Sequence, residues 1–164
     1  MIKEIKNFLE VNDFLEIKNL ISGNNFPWYL GESKVSDSKI EKKYNWQLGH
    51  TFFINHSPCS SYFSALNPIF DKLKPLAWIK IKANLTPVFD KIKIYGMHND
   101  IYSKENVKTG ILYLNTNNGF TVFENGKKIK SEENKFVYFP TNLKHSGTTH
   151  TDERYRIVLN FNWI

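Results

Sequence analysis

The chain has 164 residues, 41% of them hydrophobic and 15% aromatic, enough for one domain with a full core and incompatible with a disordered chain. Its formal net charge is +6, but the lysines are spread along the chain and form no block, so charge alone is a weak case for a nucleic-acid partner. The single cysteine, Cys59, excludes an internal disulfide, and no stretch reaches the ~20 apolar residues of a membrane span. A lone cysteine fits a reducing compartment, and acids throughout the first 20 residues make a poor signal or transit peptide. A soluble cytoplasmic protein is therefore expected.

Ile2, Ile5, Phe8, Leu9, Phe14, Leu15, Ile17, Leu20 and Ile21 recur at roughly helical spacing, which predicts a helix over 2–22 with a break and cap at Asn12-Asp13. "SGNN" (22–25) ends it, and "FPWYL" (26–30) reads as a short strand or an aromatic loop. Residues 31–47 are polar and are expected to form a mobile loop. "HTFFI" (50–54) is a strand candidate and "YFSALNPIFDKL" (62–73) a second helix.

After Pro75 the pattern switches to period two. In "LAWIKIKANL", Ala77, Ile79, Ile81 and Ala83 share one face, and Trp78, Lys80, Lys82 and Asn84 the other. "KIKIYGMHND" (91–100), "TGILYLNT" (109–116) and "GFTVFENGKKIKS" (119–131) follow, the last with an Asn125-Gly126 hairpin signal. "KFVYFP" (135–140) and "RYRIVLNFNWI" (154–164) complete the set. The expected architecture is α+β in a single domain over 1–164. Helical support occupies about 1–74 and an antiparallel jelly-roll barrel about 75–164.

His98 and Asp100 are two residues apart, so on an extended strand both side chains face the same way. One imidazole and one carboxylate can grip one side of a metal. A His-x-Asp triplet arises easily by chance, and by itself it reads more readily as the polar end of a strand. The C-terminal third adds to it. His145 follows a strand, a Gly/Thr-rich turn comes next, and the last strand opens with Arg154 and Arg156. These are the chain's only two arginines among 22 basic residues. A planar guanidinium holds a carboxylate with two hydrogen bonds, which lysine cannot do. Two histidines and one carboxylate leave metal positions open and point to non-haem Fe(II), with an arginine for the far carboxylate of a small diacid.

With these pieces in this order, the chain resembles the Fe(II)/2-oxoglutarate-dependent oxygenases, in particular the prolyl 4-hydroxylase-like branch with its short bacterial and viral members. The resemblance covers most of the chain: "IKNFLEVNDFLEIKNLI", "FPWYL", "IKIKANL", "HND", "GILYLNTNNGFTVFENGKKI", "FVYFPTNLKHSG" and "RIVLNFNW". It implies a double-stranded β-helix, a cupin-like jelly roll. It implies His98, Asp100 and His145 as iron ligands and Arg156 as the partner of the 5-carboxylate of 2-oxoglutarate. Arg154, nine residues after His145 where Arg156 is eleven, is the alternative. Tyr113 is similar to a tyrosine whose hydroxyl supports the same carboxylate, and Asn84 is a candidate for lining the cofactor pocket. Tyr113 also reads as plain barrel packing and Asn84 as a structural residue. His150 rivals His145 but leaves a hairpin of only six residues before Arg156, and His50 and His56 have no partner pattern.

The implied cofactors are Fe(II), 2-oxoglutarate and O₂. The implied reaction hydroxylates a C–H bond with release of succinate and CO₂, in the cytoplasm, or in the host's cytoplasm for a viral member. Related halogenases lack the carboxylate at the position of Asp100, so its presence argues for hydroxylation. The substrate stays open between peptidyl proline and a small molecule such as an amino acid, nucleobase or sugar. The loops expected to contact it are 31–47, 55–61 and 101–108. Few insertions over the barrel suggest an open site able to take a side chain on a larger polymer. Two other classes remain: a metal-binding cupin-like enzyme that does not use 2-oxoglutarate, and an inactive jelly-roll binding module.

Overall fold

The computed structural model describes residues 1–31, 40–101 and 106–164. Its strands are β1 (Lys3–Ile5), β2 (Tyr29–Gly31), β3 (Gln47–Ile54), β4 (Ser57–Pro58), β5 (Trp78–Pro87), β6 (Lys108–Tyr113), β7 (Phe120–Phe123), β8 (Lys128–Lys130), β9 (Lys135–Pro140), β10 (His145–Gly147) and β11 (Tyr155–Trp163). The helices are α1 (Val11–Ser22) and α2 (Asn67–Leu73), the second entered through a 3₁₀ turn at Phe63–Leu66. Among the described residues, the large sheet runs β1-β9-β6-β11-β5-β3-β2 with β4 beside β3, and a small sheet runs β10-β7-β8. Every ladder is antiparallel. This is the expected double-stranded β-helix.

The period-two patterns set what each face of the large sheet does. On β11, Ile157, Leu159, Phe161 and Trp163 join Ile81 and Ala83 of β5 in a core shared with Phe14, Ile17 and Ile21 of α1 and Ile69 of α2. The alternate residues, Arg156, Val158, Asn160 and Asn162 with Lys80, Lys82 and Asn84, face a cavity on the other side. A smaller apolar cluster (Ile111, Tyr113, Phe123, Val137, Phe139, Val158) joins the two sheets. The polar residues of β5 and β11 therefore point into a site, while their apolar neighbours are buried against the helices.

Several expectations change. The helix expected over 2–22 starts at Val11, and Lys3–Ile5 forms an edge strand on β9 instead. Asn7 adopts φ +48°, which breaks any helix there. The Phe8 amide donates to the Asn134 carbonyl, and the Leu9 amide and carbonyl are both taken by the Asn134 side chain. Phe8 and Leu9 are buried as expected, but as a plug, with Phe8 stacked on Phe136 at 4.4 Å. The 62–73 segment splits at Asn67 because Pro68, which lacks an N–H, fits the first turn of α2 and not a helix interior.

The polar stretch 31–47 is anchored at both ends, since Gly31 and Gln47 pair across β2 and β3. Tyr44 within it is buried and its hydroxyl donates to Asp90 Oδ1 at 2.8 Å. Residues 32–39 of that expected loop, and 102–105 of the expected 101–108 loop, lie outside the described residues. Strands β1 to β4 all precede residue 75, so the leading section supplies sheet as well as helix.

Gly110 shows how tightly the core against the helices is packed. A Cβ there would lie 2.5 Å from Phe136 Cζ and 2.7 Å from Trp163 Cζ3. Both rings are themselves buried, so neither can move aside cheaply. Gly110→Ala is expected to lower stability by about 1–3 kcal/mol, read as a reduced urea midpoint at unchanged slope.

Candidate metal centre

"KIKIYGMHND" does not form a ladder strand. It is held to the far side of the barrel by two isolated antiparallel bridges, Ile94 to Thr148 and His98 to His145. In the second, each histidine's amide donates to the other's carbonyl at 3.0 Å. A directly opposed, hydrogen-bonded pair projects its side chains to one face. The two rings accordingly lie 4.9 Å apart, centroid to centroid. Asp100, two residues on, brings its carboxylate to the same place.

His98, Asp100 and His145 offer ligand atoms that all lie within 4.8 Å of one another. Asp100 Oδ1 is 3.7 Å from His98 Nε2 and 3.9 Å from His145 Nε2. His98 Nδ1 lies 3.0 Å from the Gly96 carbonyl, which can only accept, so Nδ1 carries a proton and Nε2 is the ring atom left toward Asp100. Burial pushes the His145 pKa below its ordinary range; Asp100 opposes this and His98 adds to it. His145 is therefore a neutral donor at pH 7. Two imidazole nitrogens and one carboxylate oxygen suit a first-row transition metal.

Asn162, which the sequence reading passed over, holds the carboxylate. Its Nδ2 donates to Asp100 Oδ2 at 3.3 Å and to Thr109 Oγ1 at 3.0 Å. That leaves Oδ1 toward the two histidines. Asn162→Ala is expected to weaken metal binding by about 10–100-fold, as measured by Co(II) titration, with all three ligands still present.

The cavity encloses about 260 Å³. Arg156 lines it, is 3% exposed, and forms no ion pair among the described residues. Its Nε donates to Ser131 Oγ at 2.8 Å and its guanidinium lies 5.6 Å from the Tyr113 ring centroid. Burial pulls its pKa down, while Tyr113 and Tyr95 act against that. A buried cation without a carboxylate partner is costly unless an anion arrives. Arg154 is exposed and precedes β11, outside the cavity.

Tyr113 is fully buried, and burial pushes its pKa up. Its hydroxyl donates to Thr121 Oγ1 at 2.8 Å. Thr121 lines the cavity, so its own proton is free to donate inward. Gln47, Asn84 and Asn160 line the cavity too, and their side-chain oxygens have no hydrogen-bond partner among the described residues. His150 is buried with Nε2 2.9 Å from the Glu153 carbonyl, away from the cluster. His50 sits in an aromatic cage between the Pro27 carbonyl and Ser60. His56 is exposed.

No family model matches the chain, and no curated protein does. Solved structures do. A Burkholderia pseudomallei oxidoreductase of the 2OG-Fe(II) oxygenase family superposes with a TM-score of 0.71 at 10% identity, over 99% of this chain and 84% of that one. A Trichoplax adhaerens prolyl hydroxylase, in complex with a peptide fragment of hypoxia inducible factor, gives 0.69 at 16% identity over 99% and 83%. Streptomyces hygroscopicus HygX, with nickel and 2-oxoglutarate bound, gives 0.63 at 8% over 99% and 82%. The chain thus has the double-stranded β-helix fold of the 2-oxoglutarate/Fe(II) oxygenases.

Proposed function

We propose that this chain is a single-domain Fe(II)- and 2-oxoglutarate-dependent oxygenase that hydroxylates a C–H bond of a peptide or small molecule. The observation that carries this reading is a pairing. One cavity has a His-Asp-His cluster and a buried arginine without a carboxylate partner. A metal enzyme that does not use a dicarboxylate has no need of the second feature, and a silent binding module has no need of either.

His98, Asp100 and His145 would hold the iron. Iron, when bound, supplies the oxidation that couples decarboxylation of 2-oxoglutarate to hydroxylation of the substrate. The chain's own residues bind and orient. Arg156 takes the 5-carboxylate in a bidentate pair, with its guanidinium fixed by Ser131 and the Tyr113 ring. Thr121 donates its hydroxyl proton to the same carboxylate, because its oxygen is already engaged by Tyr113. Tyr113 is therefore a positioning residue here. Asn84, whose side-chain oxygen is unpaired among the described residues, stands toward the body of the cosubstrate. The exposed thiol of Cys59 supports a reducing compartment such as the cytoplasm.

Anaerobic addition of Fe(II) and 2-oxoglutarate to the purified protein is expected to give the weak visible charge-transfer band of the chelate. Readmitted oxygen is then expected to release succinate. A protein that holds iron but shows no band refutes the reading.

A further inference from the structure

The cavity carries more positive charge than this reading uses. Lys80, Lys82 and Asn84 are successive inward-facing residues of β5, and all three line it. The pairing with β11 orders the wall: Thr86 opposes Arg156, Asn84 opposes Val158, Lys82 opposes Asn160 and Lys80 opposes Asn162. Asn162 is the residue that grips Asp100, so both lysines stand toward the metal end. Lys82 begins four residues from the Arg156 register, about 14 Å along the strand. Neither lysine forms an ion pair among the described residues. Burial, then Lys80, push the Lys82 pKa down, and Asp100 only partly offsets them.

Charge bookkeeping then decides the ligand class. Bound iron contributes +2, Asp100 −1, Arg156 +1 and 2-oxoglutarate −2, which sum to zero. Lys80 and Lys82 are left over, adjacent on one face of one strand. Most lysines of this chain are solvated, but these two point into the cavity and repel each other there until an anion arrives. Asn160, directly across from Lys82, has a side-chain oxygen without a partner among the described residues. Its amide can turn an N–H toward the same anion.

We infer that the primary substrate carries a carboxylate or phosphate group, and that Lys80 and Lys82 hold this group beside the metal site. The inference rests on the oxygenase reading above. It makes the two lysines the specificity-determining pair.

The test uses protein loaded with Zn(II), which does not turn over, and saturated with 2-oxoglutarate. Methyl phosphate, acetate and neutral acetamide are titrated in, and backbone amide shifts are followed by NMR. Methyl phosphate or acetate is expected to bind saturably and acetamide not; the stronger of the two anions identifies the group. Lys80→Met and Lys82→Met are each expected to weaken the anion by at least about tenfold while leaving the 2-oxoglutarate Kd within about twofold. Absence of a second bound anion, or equal binding of acetamide, overturns the inference. So does a loss of 2-oxoglutarate affinity in the lysine variants with anion binding intact, because the pair then serves the cosubstrate. Failure of the wild type to take up 2-oxoglutarate appears in its own titration and overturns the oxygenase reading itself.

Discussion

Asp100→Ala is expected to abolish the visible band of the Fe(II)/2-oxoglutarate chelate and to lower metal affinity by well over about 100-fold. Changing a residue that merely orients a ligand already costs about 10–100-fold, and this substitution removes the ligand. Asp100 is also the cleanest of the three to remove. Its carboxylate faces the cavity and the two histidines, and Asn162 keeps its second bond, to Thr109 Oγ1. His145 is different, because its ring packs 4.8 Å from Phe139 and its loss would also disturb the core. Circular dichroism and the thermal midpoint of metal-free Asp100→Ala are therefore expected to match wild type. Asp100→Asn keeps the shape but not the charge. It is expected to bind metal nearly as poorly, because a neutral amide neither offsets the metal's charge nor offers an equivalent donor. Retention of the band in Asp100→Ala would remove Asp100 from the metal site, whatever the activity.

The parts of the site legible from the sequence were those with local period. Alternation on β5 told that Lys80, Lys82 and Asn84 share one face and Ile81 and Ala83 the other. Trp78, expected beside the lysines, instead lies past a register shift and packs into the core with Trp163. The rarity of arginine singled out Arg156 and Arg154. Choosing between those two needed the start of β11. Sequence spacing puts them on one face of a strand, but the strand begins at Tyr155, so Arg154 falls outside the alternation and out of the cavity. Asn162 and Thr121 were not legible. Asparagine and threonine are common in this chain, and what marks these two is a contact 62 residues away for one and a hydroxyl spent on Tyr113 for the other. The roles of Lys80 and Lys82 were hidden by the abundance of lysine. Their inward face was already visible in the alternation, but not what that face lined.

The misread segments share one cause, which is non-local capture of the backbone. Residues 2–10 have helical spacing, yet Asn134, more than 120 residues away, takes the hydrogen bonds of Phe8 and Leu9. Tertiary contacts override a weak local preference in this way, because a short helix is marginal in water and a buried side-chain pair is not. The 91–100 segment erred in the other direction. It has strand-like alternation, but among the described residues His98 pairs with His145 alone. The cavity benefits from this, since an isolated bridge brings His98 and His145 face to face without a ladder to fill the space beside them.

Arg156→Ala is expected to raise the Kd for 2-oxoglutarate by about 10²–10³-fold while leaving Fe(II) affinity within a few fold. Truncating one partner of a buried, hydrogen-bonded charge pair costs about 2–5 kcal/mol, and each 1.4 kcal/mol is tenfold. Stability separates this from unfolding. Without cosubstrate, the wild-type guanidinium is a buried cation with no carboxylate beside it, so its removal relieves a desolvation cost that offsets part of the lost packing. The metal-loaded variant should then melt close to wild type in the absence of 2-oxoglutarate. Wild type should gain thermal stability when 2-oxoglutarate is added, by mass action, and the variant should not at the same concentration. Arg156→Lys keeps a charge but loses the planar fork, the Ser131 bond from Nε and the stacking over Tyr113, so it should recover only part of the affinity. Arg154→Ala, on the surface outside the cavity, should titrate like wild type. If Arg154→Ala weakens 2-oxoglutarate while Arg156→Ala does not, the cosubstrate does not bind where the buried guanidinium stands.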